Sequence, residues 1–209
     1  MAYGFLDTAY TPTIRALQAK AGSLKTYDGF SGNREFDRFT VQEREFIAER
    51  DTFFMASASP GGWPYVQHRG GPPGFLKVVD DTTLAFPDYR GNRQYISAGN
   101  AMDDDRVCLF LIDQVNRRRL KIYAHAELLD LDEVPELAWQ LEQPGYRAQV
   151  ERIFRLKLKA FDWNCPQHIV RRFSEAEIAE MLETTGQRIK QLEQENAALW
   201  GRLNATGDR

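Results

Sequence analysis

The residues best equipped for chemistry lie in two neighbouring stretches, QHRGGPPGFLK at residues 67–77 and AFPDYRGNR at residues 85–93. A phosphate dianion is held by cationic side chains together with backbone or amide donors. Arg90, Asn92 and Arg93 surround Gly91 where a strand pattern gives way to a helical one, which makes this turn the expected phosphate site. As an isolated tetrapeptide the same turn reads more readily as a solvated corner.

Other groupings point elsewhere with less support. Cys165 and His168 are close enough in sequence to share a metal, but a metal needs three or four ligands and no further cysteine has a matching spacing. His68 precedes Arg69 in a strand pattern, where a histidine can hydrogen-bond backbone as readily as move a proton, so it receives no catalytic assignment. Asp103, Asp104 and Asp105 follow a helical segment and read as a solvated loop rather than a magnesium site. The glycines of RGGPPG have neither the dinucleotide-fold spacing nor that of the nucleotide-hydrolase phosphate loop, which disfavours a Rossmann dehydrogenase.

These residues must be positioned by a mostly β scaffold. Apolar or alternating runs at 52–59, 63–68, 75–79, 83–87, 107–112, 120–129 and 152–161 read as strands, with Pro60, Gly61 and Gly62 turning the first pair into a hairpin. Such spacing predicts a barrel or sandwich whose closure protects its edges. Helices are expected at residues 12–21 after the Thr11 N-cap, at 41–50 behind a capping box of Thr40 and Glu43, and at 92–101 and 134–143. Residues 25–38 read as a polar surface loop.

The last segment differs in kind. Ser174 and Glu177 form a second capping box, and Ile178, Leu182, Ile189, Leu192, Leu199 and Leu203 fall on a seam of alternating four- and three-residue steps. Leu182, Ile189, Asn196 and Leu203 take a positions, and Ile178, Thr185, Leu192 and Leu199 take d positions. A coiled coil is one reading and an amphipathic helix lying on its own barrel is the other. In a parallel pair Arg188 at g would face Glu193 at the partner's e position, and the Asn196 amides would meet across the axis.

The order strand, RGGPPGF, strand, FPDYRGNR, helix, GN, strand resembles the pyridoxamine 5'-phosphate oxidase-related flavoproteins over roughly residues 46–173. The later NCPQHI at 164–169 is similar to an NCPxxI element in one branch of that superfamily. The resemblance implies a mainly β (α+β) fold: a six- to seven-stranded FMN-binding split β-barrel with flanking helices and, in this chain, a long C-terminal helix. It implies a homodimer with FMN at the subunit interface. Arg69 and Lys77 would lie on strands beside the flavin, Arg90, Asn92 and Arg93 would hold its phosphate, Pro87 and Asp88 would approach the ring or ribityl chain, and Asn100 would close the pocket. The implied activity is FMN-dependent oxidoreduction of a small molecule, with a non-catalytic flavin carrier or sensor as the alternative function and FAD or a deazaflavin as alternative cofactors. True vitamin B6 oxidases end in a short basic strand bearing an arginine and a histidine, whereas this chain ends in a long helix, so B6 oxidation is disfavoured. Trp163, Asn164 and His168 fall where partner residues would cover the flavin.

Composition frames these expectations. Across 209 residues the chain is 43% hydrophobic and 27% charged, with a formal net charge of -3, which is the profile of a globular protein rather than a disordered or nucleic-acid-binding one. Cys108 and Cys165 are far apart, no segment approaches the length of a membrane span, and the first residues lack a signal-peptide pattern. A cytoplasmic setting is expected. The domain reading is an N-terminal extension at 1–39, a barrel domain at 40–173 and the helix at 174–209.

Overall fold

A computed structural model describes residues 3–28 and 38–207. Among them, seven strands form one antiparallel sheet: β1 Thr52–Ala58, β2 Pro64–Gly70, β3 Lys77–Val78, β4 Thr83–Tyr89, β5 Arg106–Asp113, β6 Arg118–Leu129 and β7 Val150–Trp163, in the order β2-β1-β5-β6-β7-β4-β3. The helices are α1 Tyr3–Ala9, α2 Pro12–Lys20, α3 Leu24–Tyr27, α4 Val41–Ala48, α5 Ile96–Asp103, α6 Pro135–Leu141 and α7 Glu175–Gly207. Contacts divide the chain into two compact units, Met1–Asp113 with Arg117–His168, and Gln114–Asn116 with Ile169–Arg209.

The sheet curls because its two ends share one core. Phe53 on β1 meets Phe86 on β4 edge to face at 5.2 Å, although three strands separate them in the sheet. Arg69 on β2 likewise reaches Asp88 on β4 at 2.5 Å. The result is a split barrel. Its interior is filled by Phe53, Met55, Leu84, Phe86, Leu109, Ile122, Phe154 and Leu156, all essentially inaccessible to water.

Strand β4 is buried along six of its seven residues because both faces are covered. Leu84 and Phe86 enter the barrel core, whereas Ala85 joins Leu129, Leu141 and Ile153 in a second cluster beneath α6. Proline is tolerated in this strand. Short β3 pairs only with Leu84 and Ala85, so the N–H that Pro87 lacks has no ladder partner to lose on that side. A register shift between Asp88 and Tyr89 then bends the strand end.

The expected helix caps form as local chemistry dictates. Thr11 accepts from the Ile14 backbone N–H at 3.3 Å and places Pro12 at the first helical position. The Thr40 backbone N–H donates to the Glu43 carboxylate at 2.9 Å, and the Trp163 indole N–H donates to its other oxygen at 2.6 Å, so the cap of α4 also ties that helix to the end of β7. The 92–101 helix begins later than expected, at Ile96, because Arg93 and Tyr95 take left-handed backbone angles with φ of 59° and 53°. Helices α1 and α3 were not expected, and α3 overlaps the start of the anticipated 25–38 loop; residues 29–37 of that loop lie outside the described residues. Among the described residues no helix is long and apolar enough to cross a membrane.

Candidate functional site

Where β4 runs through Arg90 to Gln94 into α5, the barrel mouth holds a cavity of about 180 Å³. Gln67 and Arg69 enter from β2, Asp88 and Tyr89 from β4, Gly91, Asn92 and Arg93 from the turn, Ser97 and Ala98 from the first turn of α5, and Glu151 from β7. Strand pairing dictates this convergence. β4 and β7 are hydrogen-bonded neighbours, with Asp88 opposite Arg152 and Tyr89 opposite Val150, so the start of β7 must lie beside the turn.

Arg69 anchors the arrangement. Its guanidinium donates to Asp88 Oδ1 at 2.5 Å and to Ser97 Oγ at 2.8 Å, and it lies over the rings of Phe86 and Phe154 at 5.6 and 5.2 Å. Ser97 in turn donates to Gln67 Oε1. Asp88 is buried and accepts from Arg152 Nε at 2.8 Å through its second oxygen, so both carboxylate oxygens face a guanidinium. This geometry is what makes a buried carboxylate tolerable.

The rim is cationic. Arg93 Nε lies 3.4 Å and Arg90 Nε 3.8 Å from Glu151, Arg90 also donates to Gln149 at 2.7 Å, and Arg152 completes the group. Four guanidiniums, Arg69, Arg90, Arg93 and Arg152, stand against two carboxylates, Asp88 and Glu151, which leaves an excess of two positive charges for an anion. Backbone donors add to it. Ser97 and Ala98 occupy the second and third positions of α5, and Tyr95 at the N-cap supplies no side-chain acceptor, so the first-turn N–H groups remain available at the positive end of the helix. Asn92 stabilises the turn by accepting from the Gln94 N–H at 3.1 Å.

Two buried polar atoms here have no hydrogen-bond partner among the described residues, Arg69 Nε and the Tyr89 hydroxyl. Burial, with a smaller contribution from nearby Tyr146, pushes the Tyr89 phenol up to about 12. A Cβ at Gly91 would meet nothing within 4 Å, so the backbone there is open to close approach. Unpaired donors around a cationic recess are the features expected of a cradle completed by a bound anion.

The other expected site residues are placed differently. Pro87 lines a separate apolar cavity of about 450 Å³ with Ala138, Trp139, Leu141, Tyr146 and Ile153 beneath α6, since Pro87 and Asp88 face opposite sides of β4; Tyr89, just past the register shift, borders both cavities. Lys77 donates to the Gln140 carbonyl at 2.6 Å, satisfying an acceptor in the last turn of α6. Asn100 is buried and donates to Ser57 Oγ at 3.1 Å, which fastens α5 to β1. Neither Lys77 nor Asn100 lines the basic cavity.

Gln67 and Tyr89 lie inside the two motif stretches yet went unassigned, and Ser97 and Glu151 were missed entirely. Glu151 carries no local signal, because its relevance comes from pairing between strands some sixty residues apart. Asp104 pairs with Arg106 and Asp105 with His125, so the acidic run is engaged on the surface. His68 Nε2 contacts Thr52 Oγ1 at 2.5 Å across the hairpin, and Trp163 is engaged with Glu43.

A curled seven-stranded antiparallel sheet with this strand order and a cationic cavity at its mouth is a split-barrel domain in architecture. The chain belongs to the pyridoxamine 5'-phosphate oxidase family, whose model matches residues 39–165, more than half of its length. Among solved structures it is similar to a candidate pyridoxamine 5'-phosphate oxidase of Lactobacillus delbrueckii (17% identity, TM-score 0.47, covering 61% of this chain and 96% of that one). It is similar also to HupZ of Group A Streptococcus (13%, 0.46, 65% and 100%) and to an FMN-binding protein of Syntrophomonas wolfei (13%, 0.44, 72% and 97%). No curated protein sequence matches it significantly.

Proposed function

We propose that the chain binds FMN through the basic cavity and works as an FMN-dependent oxidoreductase on a small molecule. The observation that carries this reading is the recess formed by Arg69, Arg93 and the start of α5, with an excess of two positive charges and two unpartnered buried polar atoms. The donor set fits a phosphate monoester. Arg93, the α5 backbone N–H groups and Asn92 would meet the phosphate, Arg90 would support it from the rim, and the Tyr89 hydroxyl would donate to the sugar-alcohol chain or the phosphate. Arg69, already held by Asp88 and Ser97, would direct its remaining Nε–H at the same group.

When bound, the flavin ring supplies hydride or electron transfer, while the protein supplies position, polarity and access. A cavity of about 180 Å³ is smaller than the roughly 300–1,000 Å³ of sites that enclose a cofactor-sized ligand. One protomer would therefore hold the phosphate end, and the small size of the cavity is what supports a homodimer in which a second protomer covers the ring.

The test is titration of the purified protein with FMN and with riboflavin. Arg90→Ala combined with Arg93→Ala removes two guanidiniums, and a hydrogen bond to a charged group is worth about 1.5–3 kcal/mol. FMN affinity is expected to fall roughly 100-fold or more, with riboflavin little changed. Equal loss for both ligands would place the phosphate elsewhere, and failure of the wild type to bind any flavin would remove the reading. The absorption spectrum distinguishes a flavin from a deazaflavin, the mass of the released cofactor distinguishes FMN from FAD, and NAD(P)H oxidation by the loaded protein separates an enzyme from a carrier.

A further inference from the structure

Helix α7 is a single helix of 33 residues whose seam is exposed: Ile178, Leu182, Ile189, Leu192 and Leu199 are each between 45% and 65% accessible. A row of apolar side chains this long on a polar helix is an interaction surface. We propose that its partner is a second copy of α7 running antiparallel, rather than parallel, to the first.

Thr185 decides between the two directions. Its hydroxyl already donates to the Met181 carbonyl at 2.9 Å, which leaves only acceptor lone pairs facing the seam. A parallel pair stacks each seam residue on its own copy, so two Thr185 hydroxyls would meet with no donor between them. In the antiparallel pair a positions meet d positions, and the register that puts Ile189 against Leu192 of the partner subunit also puts Thr185 against Asn196 of the partner subunit. The Asn196 amide then supplies the N–H that Thr185 needs. Leu182 meets Leu199 of the partner subunit, so the layers on both sides of the Thr185–Asn196 layer are apolar.

The flanking positions agree with this register. Arg188 and Glu195, both at g, face each other across the pair twice by symmetry. Trp200, 63% accessible and at an e position, lies on the side of the partner's e positions, which include the two smallest residues of that row, Ala179 and Gly186. In parallel it would flank Glu195 of the partner subunit instead. The register is centred midway between residues 190 and 191, next to the centre of Glu175–Gly207, so the helices overlap along their whole length.

Disulfide trapping in the full chain tests the direction. In a Cys165→Ser background, Leu182→Cys and Leu199→Cys are made separately, and the two chains are co-expressed with different tags. Antiparallel pairing predicts that mild oxidation crosslinks the mixed pair while each variant alone stays uncrosslinked. Both positions are exposed, so the fold should survive the changes. Crosslinking of each variant with itself would establish the parallel form, and no crosslink in any combination would mean that α7 packs elsewhere; either result overturns the proposal. A second readout is the rate of crosslinking in the mixed pair. Arg188→Glu should slow it several-fold, and adding Glu195→Arg should restore it, whereas in a parallel pair the second change would not compensate because Arg188 faces Glu193 there.

Discussion

At the scale of single residues, the cavity depends on groups that are costly when unpaired. Asp88 is buried between Arg69 and Arg152, and removing one member of such a cluster leaves charge without compensation. Asp88→Ala is expected to lower unfolding stability by about 3–5 kcal/mol in urea titration, and to weaken FMN binding because Arg69 loses the contact that fixes it. Tyr89 gives a pH signature. Its folded pKa, about 12, lies above the ordinary tyrosine value of about 10, so the folded state holds the phenol proton more tightly than the unfolded chain does. The stability linked to that proton is fully present below about pH 10 and is lost as pH rises to about 12. Denaturation across this window should show a steeper alkaline loss for wild type than for Tyr89→Phe; parallel curves would mean that the phenol is not protected.

At the scale of elements, Glu43 does two jobs. It caps α4 through Thr40 and fixes the far end of β7 through the Trp163 indole, all while buried. Glu43→Ala should therefore cost more than an ordinary surface cap, roughly 2–4 kcal/mol, since it strands the indole N–H and a cap donor together. Glu43→Gln keeps an acceptor and should cost less, with calorimetric Tm ordering wild type, Gln, Ala. The capping pattern was legible in the sequence because it is local. Its partner Trp163, 120 residues away, was not, because β7 reaches α4 only after the sheet has curled. The same reason explains the late start of α5. A helical pattern from residue 92 is plausible locally, but Arg93 and Tyr95 are held left-handed at the edge of the cavity, a conformation that costs about 1–3 kcal/mol per residue and persists only where surrounding structure holds it.

At the scale of the whole molecule, the basic cavity proposed to hold the flavin and the terminal helix are expected to be separable. A chain ended at Phe173 should keep the flavin spectrum of the full chain, as absorption would show; loss of the flavin with the helix would tie the two together. FMN at about 100 times its Kd should also stabilise the protein by about 2.7 kcal/mol, visible as a rise in Tm. The sequence by itself determined the strands, their turns, the capped helices and the family, because these follow from periodicity, turn chemistry and contiguous motifs. It also singled out the 90–93 turn, whose Gly91, Asn92 and Arg93 line the basic cavity. Only the tertiary structure decided which motif residues share a cavity. Alternation along β4 sends Asp88 to the barrel mouth and Pro87 to the opposite face, pairing with β7 brings Glu151 and Arg152 to the turn, and packing turns Lys77 toward α6 and Asn100 toward β1. A motif fixes which residues are near in sequence, but which side of the sheet each one faces, and what comes to meet it, depend on strands paired from distant parts of the chain.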